Sequence, residues 1–298
     1  MANQTLQEIL NVEAADGPFG MGDGVLQQTL RDFIQLQSLR ISVGTKVIGV
    51  RTVPWLDFKW YTGNIGTFDY PLDDAAVTDP SKVGTKNYTT KLAKGQGRCT
   101  FLDSVRLRGE DWETLDRQQL AIVRARADKI DENILDALLA GAGQTQAATG
   151  TSFKHADGDA EGDILKAMDL IFSNGRVSGD EPVALILPAT HRSVLLDTTL
   201  YGNVVESLGA HLGRIANLTI YYTRDSDFSA TGVLLVPGAE TAEFFQYNGP
   251  GFQETELTRI PGVGYDYLLT SYFGTVIHEH DDGAASGKNN RICKLTGI

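Results

Sequence analysis

The sequence predicts an α+β fold, mainly extended chain built around one long helix, and three observations carry that expectation. Aromatic and β-branched residues from Val47 to Tyr61 are followed, after a turn-rich stretch, by a more polar leg from Tyr88 to Leu107. That is the pattern of a long hairpin. Val123, Ala127, Ile130, Ile134 and Leu138 recur at three- and four-residue steps, one apolar face of a helix. After Gly162 short helical and apolar extended patterns alternate, and from Glu254 long strand patterns return.

Residues 1–45 open on a polar stretch and a glycine cluster, Gly17-Pro18-Phe19-Gly20-Met21-Gly22-Asp23-Gly24. Glycine at that density resists regular structure. Leu26, Leu30, Phe33, Ile34 and Leu36 then follow at mostly helical spacing. Two readings fit the segment: a flexible terminus, or an arm that orders against a partner.

Residues 46–107 form the predicted ribbon. On its outward leg Leu56, Phe58 and Trp60 share one face, and Trp55, Asp57, Lys59 and Tyr61 the other. Gly63, Gly66, Pro71, Pro80 and Gly84 lie between the legs, all of them turn formers. Legs of about 15 residues reach roughly 50 Å, and a two-stranded ribbon is marginal alone in water. Its aromatic residues therefore need a second surface, either the chain's own core or a neighbouring subunit. Trp55, Phe58, Trp60, Tyr61, Phe68 and Tyr70 are the candidate inter-subunit contacts.

The long helix is expected from Asp111, with Glu113 in its first turn where the dipole favours acid. Gly141 is expected just past its end. At about 29 residues it would measure ~43 Å, a beam rather than a buried rod. A glycine-rich linker is expected over 141–162. Beyond it come a helix around Ile164–Phe172, a strand at Val183–Pro188, a helix at His191–Leu200, strands at Leu218–Tyr222 and Gly232–Pro237, and long strands at Tyr265–Ile277 and Arg291–Leu295.

Composition narrows the function classes. The 298 residues suffice for about two average domains. Lysine and arginine total 26 against 38 acids, a net charge of −12 with a pI near 4.8. That balance opposes nonspecific binding to nucleic acid or anionic membrane. No run approaches the ~18 apolar residues of a membrane span, and Met1 to Glu8 lacks the pattern of a signal peptide. Cys99 and Cys293 are too few for a disulfide framework or a thiolate zinc site, and read as two reduced thiols in a cytoplasmic protein.

No catalytic constellation is legible. His155 to Asp163 alternates carboxylates like a calcium loop, but Met168 stands where a bidentate glutamate is needed. An acidic linker that caps the following helix is the simpler reading. His278 and His280 share a strand face beside Glu279, Asp281 and Asp282, without a third ligand at diagnostic spacing. His191 lacks a nucleophile partner. Gly283 to Asn289 is one residue short of a phosphate loop and carries Asn289 in place of the hydroxyl. No catalytic, cofactor or metal residue is assigned.

The order of elements resembles the major capsid proteins of tailed phages and related archaeal viruses, the Hong Kong 97-type capsid fold shared with encapsulins. The likeness covers nearly the whole chain. Its local carriers are Ile130-Asp131-Glu132-Asn133-Ile134-Leu135-Asp136-Ala137-Leu138-Leu139, then Leu185-Ile186-Leu187-Pro188-Ala189-Thr190, and Gly232-Val233-Leu234-Leu235-Val236-Pro237-Gly238. The resemblance implies an N-terminal arm at 1–45 and an extended β-hairpin loop at 46–107. It implies a peripheral domain with the spine helix at 108–160, a central α/β axial domain at 161–254, and a return to the peripheral domain at 255–298.

It also implies self-assembly through pentamers and hexamers into an icosahedral shell around double-stranded DNA, held without sequence-specific contact. The implied partners are further copies of the chain, a separate scaffolding protein, a portal and a decoration protein, with no membrane and no cofactor. The implied location is the virion, assembled in the host cytoplasm. Some relatives join a loop lysine to a neighbour's asparagine; Lys82, Lys86, Asn289 and Asn290 are the residues available here. An encapsulin-type nanocompartment and a soluble α/β enzyme using His191 or the His278–His280 pair are the competing readings.

Overall fold

The computed structural model describes residues 37–62, 86–102, 112–150, 152–153, 158–196, 198–201, 204–225, 228–249, 255–260, 264–278 and 287–298. A helical segment at 37–41 leads to strands β1 (Ile48–Val53), β2 (Asp57–Thr62), β3 (Lys86–Lys91) and β4 (Ala93–Leu102). Helix α1 (Trp112–Gly141), strand β5 (Ala142–Ala147), helix α2 (Ala160–Asn174), strand β6 (Val183–Pro188) and helix α3 (Arg192–Leu196) follow. Next come β7 (Thr198–Tyr201), β8 (Val204–Ser207), α4 (Leu208–Ala216), β9 (Leu218–Thr223) and β10 (Thr231–Leu235). The chain closes with β11 (Gly238–Tyr247), β12 (Thr255–Ile260), β13 (Gly264–Ile277) and β14 (Asn289–Thr296).

Two five-stranded sheets organise the molecule. The first runs β1-β11-β13-β12, with β4 also paired to β13. The second runs β5-β14-β10-β6-β9. In the second sheet alternate residues of β6 serve different cores, as the period of two requires. Val183, Leu185 and Leu187 face α2 and α4 with Ile164, Met168, Ile171 and Leu212. Ala184 and Ile186 face α1, with Ile130, Ile134 and Leu138, and meet Phe244 and Phe273 of the first sheet. The unbroken apolar run of β6 is thus a strand covered on both sides, and α1 is the wall between the sheets.

The predicted stripe of α1 is the buried one: Val123, Ala127, Ile130, Ile134 and Leu138 are all at most 1% exposed, as is Leu135 beside them. The helix is 30 residues long. Gly141 is its last residue rather than a left-handed cap, and its role is close approach. A Cβ there would stand 2.5 Å from Ile277 Cγ1 of β13. Asp111 lies outside the described residues. For α2 the cap is as expected: Asp159 Oδ1 accepts from the Gly162 amide at 2.9 Å, and Gly175 ends the helix.

Two segments differ from expectation. The linker expected after α1 begins as strand β5, whose Ala142-Gly143-Gln144-Thr145-Gln146-Ala147 is polar because it is a sheet edge paired only with β14. The helix expected over His191–Leu200 stops at Leu196, and β-branched Thr198 and Thr199 enter a hairpin instead. β14 is central in the second sheet. It runs between β5 and β10 in the second, with Ile292, Cys293 and Leu295 buried. Conversely β11, expected with residues 161–254, is central in the first sheet. Sheet pairing therefore cuts across the boundary expected at residue 254.

Candidate assembly surface

The ribbon exists as a hairpin whose base opens. β2 and β3 pair antiparallel from Asp57↔Lys91 to Thr62↔Lys86. Below that pair the two legs part. β1 runs parallel to β11, and β4 runs antiparallel to β13 over Gly264–Phe273. The Leu92 amide donates to the Leu56 carbonyl at 3.0 Å where they separate. Both legs are thereby rooted in one sheet, so load on the ribbon passes into β11 and β13.

The aromatic candidates do not behave alike. Phe58 packs at home: its ring centroid lies 4.6 Å from that of Phe245, in a cluster with Val53, Leu92 and Val276. Trp55 is 64% exposed, the adjacent Leu56 is exposed too, and so is Val50 of β1. Trp60 and Tyr61 lie in β2 opposite Tyr88 and Asn87, with their side chains outside the described residues. Phe68 and Tyr70 lie wholly outside them. An exposed indole next to an exposed leucine is uncovered contact area of the kind that anchors interfaces.

A second feature is the root of the N-terminal segment, held on α1 by polar side chains that the apolar pattern hides. Asp131 accepts from Ser42 Oγ at 2.6 Å, from the Gly44 amide at 2.8 Å and from the Val43 amide at 3.1 Å. One carboxylate therefore gathers three donors of the 42–44 turn. Gly44 sits so close to α1 that a Cβ would stand 2.7 Å from Ile134 Cγ2. Arg126, buried within the apolar stripe, donates to Ser38 Oγ and, at 3.3 Å, to Ser271 Oγ of β13. The signal was present in the sequence as a cation between Val123 and Ile130 on one helical face, but its partners were not.

The remaining polar candidates are engaged within the fold. His278 Nε2 lies 3.2 Å from Glu243 Oε2, while His280, Asp281 and Asp282 are outside the described residues. His191 is buried with its ring edge-on to Phe153 at 6.4 Å. In the acidic stretch Asp159 caps α2, and His155 and Asp157 are outside the described residues. Asp163 is fully buried and accepts from the Thr149 amide at 2.5 Å and Thr149 Oγ1 at 2.7 Å. Among the described residues no group of three or more metal-ligating side chains gathers.

Asn289 Nδ2 donates to the His278 carbonyl at 2.6 Å, and Asn290 Oδ1 accepts from Gln144 Nε2 at 2.7 Å. Both asparagines are buried in the subunit; Lys82 is outside the described residues. Cys293 is free and buried, and desolvation pushes its thiol up to about 12. It is inert at neutral pH. No helix of the described residues is long and apolar enough to cross a membrane.

The sequence model of the family described as phage capsid protein matches residues 87–285. No curated protein matches the chain. Among solved structures the chain is similar to the virus-like particle from Pyrococcus furiosus, at 12% identity and a TM-score of 0.63, covering 90% of this chain and 98% of that one. It is similar to the capsid of Myoviridae phage XM1, at 14% identity and a TM-score of 0.56, covering 84% and 90%. It is also similar to the SrpI encapsulin from Synechococcus elongatus, at 10% identity and a TM-score of 0.54, covering 85% and 86%.

Proposed function

Because the chain belongs to the phage capsid protein family and has the Hong Kong 97-type fold, we propose that its copies close, through rings of five and six, into an icosahedral shell around double-stranded DNA. It is a major capsid protein, a structural subunit of the virion shell. The observation that supports the assembly reading best is the uncovered Trp55 with Leu56 and Val50 at the root of a ribbon whose other described aromatic side chain, Phe58, is packed at home. A neighbouring subunit is the surface that Trp55 fits.

The net charge of −12 suits this role. An acidic wall repels phosphates, so packaged DNA slides instead of adhering. Assembly in the host cytoplasm, a separate scaffolding protein, a portal and a decoration protein complete the proposal. Electron microscopy of the purified protein tests the shell, and the contents of the particles test the cargo. Nuclease-protected double-stranded DNA supports the virion reading. Particles filled with a folded enzyme instead would favour an encapsulin-type compartment, to whose fold the chain is also similar.

Two substitutions separate assembly from folding. Trp55→Ala removes an exposed ring, so subunit stability is expected to stay within about 0.5 kcal/mol. Particle yield is expected to fall severely, because aromatic anchors dominate interfaces. Phe58→Ala is expected to cost the subunit about 2 kcal/mol, below the range for a fully buried phenylalanine. Urea denaturation of dissociated subunits and sedimentation of assembled ones measure the two effects. Normal particles from Trp55→Ala would remove that residue from the interface.

A further inference from the structure

Of the strands that end the two sheets, β1, β12 and β5 each carry a feature that blunts a sheet edge. β1 has Gly49 and Arg51, and its register breaks between Ile48 and Gly49. β12 has Glu256 and Arg259. β5 has Gly143, and its pairing with β14 breaks between Asn289 and Cys293. Charge, glycine and bulges weaken an edge or turn it away from further pairing. The remaining end strand, β9, is Leu218-Thr219-Ile220-Tyr221-Tyr222-Thr223, without charge, glycine or proline and with an unbroken register to β6. It has the composition of an interior strand placed at an edge.

The outer side of β9 is open. The Val183 amide donates to the Asn217 carbonyl at 3.4 Å, with Val183 opposite Leu218. Successive residues of a strand point their backbone groups to opposite sides. Thr219 and Tyr221 therefore turn amide and carbonyl to β6, and Ile220 and Tyr222 turn theirs outward. Among the described residues these outward groups find no partner. Ile220 and Tyr222 are half-buried, and Thr219 is exposed.

The same chain carries a strand pair that lacks a sheet. β7 and β8 pair only with each other among the described residues, and a two-stranded hairpin is marginal alone. β8 includes Glu206, whereas β7, Thr198-Thr199-Leu200-Tyr201, has no charge. Within one subunit the hairpin and β9 belong to separate sheets. We propose that β7 of one copy adds to the outer edge of β9 of the next and extends the second sheet across the subunit boundary. Hairpin and edge are unlike surfaces of one chain, so the contact is head-to-tail, the kind that closes into rings. The inference rests on the shell reading for its rings and names the strands that join neighbours within one.

The test uses particles of the full chain, seen by electron microscopy, with Cys99→Ser leaving only the buried Cys293. Thr199→Cys and Thr219→Cys are added together and treated with a short bis-maleimide. After denaturation a ladder of linked chains is expected, ending at five and six, because each link joins a subunit to the next. Dimers from either single variant would mean that like edges pair. A link within one chain would mean that the hairpin closes on its own β9, and no link in intact particles would mean that the two do not meet. Each of these results overturns the proposal and leaves the shell reading standing, whereas a native chain that forms no particles overturns both. As a second measurement, Thr219→Lys places on β9 a charge of the kind that guards other edges. Its site is exposed, so the urea midpoint of dissociated subunits is expected to hold while particle yield falls about tenfold. An unchanged yield overturns the proposal as well.

Discussion

Replacing Asp131 by alanine is expected to cost about 3 kcal/mol, although the residue lies on the rim of α1 and not in its apolar stripe. Three donors lose their acceptor at once: Ser42 Oγ and the amides of Val43 and Gly44. A hydrogen bond is worth roughly 1 kcal/mol net, and a charged acceptor raises that. The larger effect is what remains, since two amides in a partly buried turn are left without a partner. Gly44 is pressed against Ile134, so the turn cannot shift inward. The cost should appear as a lower urea midpoint with unchanged slope. Limited proteolysis by trypsin at Arg40 and Lys46 should quicken in parallel. Asp131→Asn keeps one accepting oxygen and is expected to lose about half as much. A loss below ~0.5 kcal/mol for the alanine variant would mean that packing of Val47 and Ile48 alone fixes the segment.

The elements legible in the sequence were those whose signal is local. The stripe of α1 repeats over about four turns and needs no knowledge of its partner, so its buried residues are legible individually. β6 announces itself as six apolar residues before Ala189. What was not legible depends on pairing over long separations. Gln144, Thr145 and Gln146 read as linker because an edge strand has no alternating apolar face, and its partner β14 lies at the other end of the chain. The same limit hid the home packing of Phe58. Its aromatic type marked it as needing a surface, yet nothing near it in sequence pointed to Phe245 rather than to a neighbouring subunit. Arg126 was visible only as an anomaly in an apolar stripe, and its meaning required Ser38 and Ser271 to be brought to it.

The acidic stretch shows how a surface-like pattern conceals a structural group, and it yields a sharp dependence on pH. Asp163 was one carboxylate among several in a glycine-rich segment, but in the fold it is fully buried at the first turn of α2. Burial pushes its carboxyl up. The Thr149 amide and hydroxyl and the Lys166 ammonium more than offset this, so the group is held below the usual carboxylate range. The unfolded chain therefore takes up a proton at a higher pH than the folded one does. Stability from this group is complete above the unfolded value near ~4 and is lost as pH falls through the lower folded value.

Asp163→Asn keeps the shape but gives up the charge. It is expected to cost about 2 kcal/mol at neutral pH, since hydrogen bonds to a charged acceptor are the stronger kind. The difference in unfolding free energy between the native chain and this variant should stay level from about pH 7 to pH 5 and then shrink on acidification. A difference that stays constant down to pH 3 would show that Thr149 and Lys166 do not hold the carboxylate. The consequence for the shell follows from position. Thr149 lies just past β5, and Asp163 begins the helix that covers the second sheet, so this bond joins the edge strand to its covering helix. Acid that protonates Asp163 should loosen that join between β5 and α2.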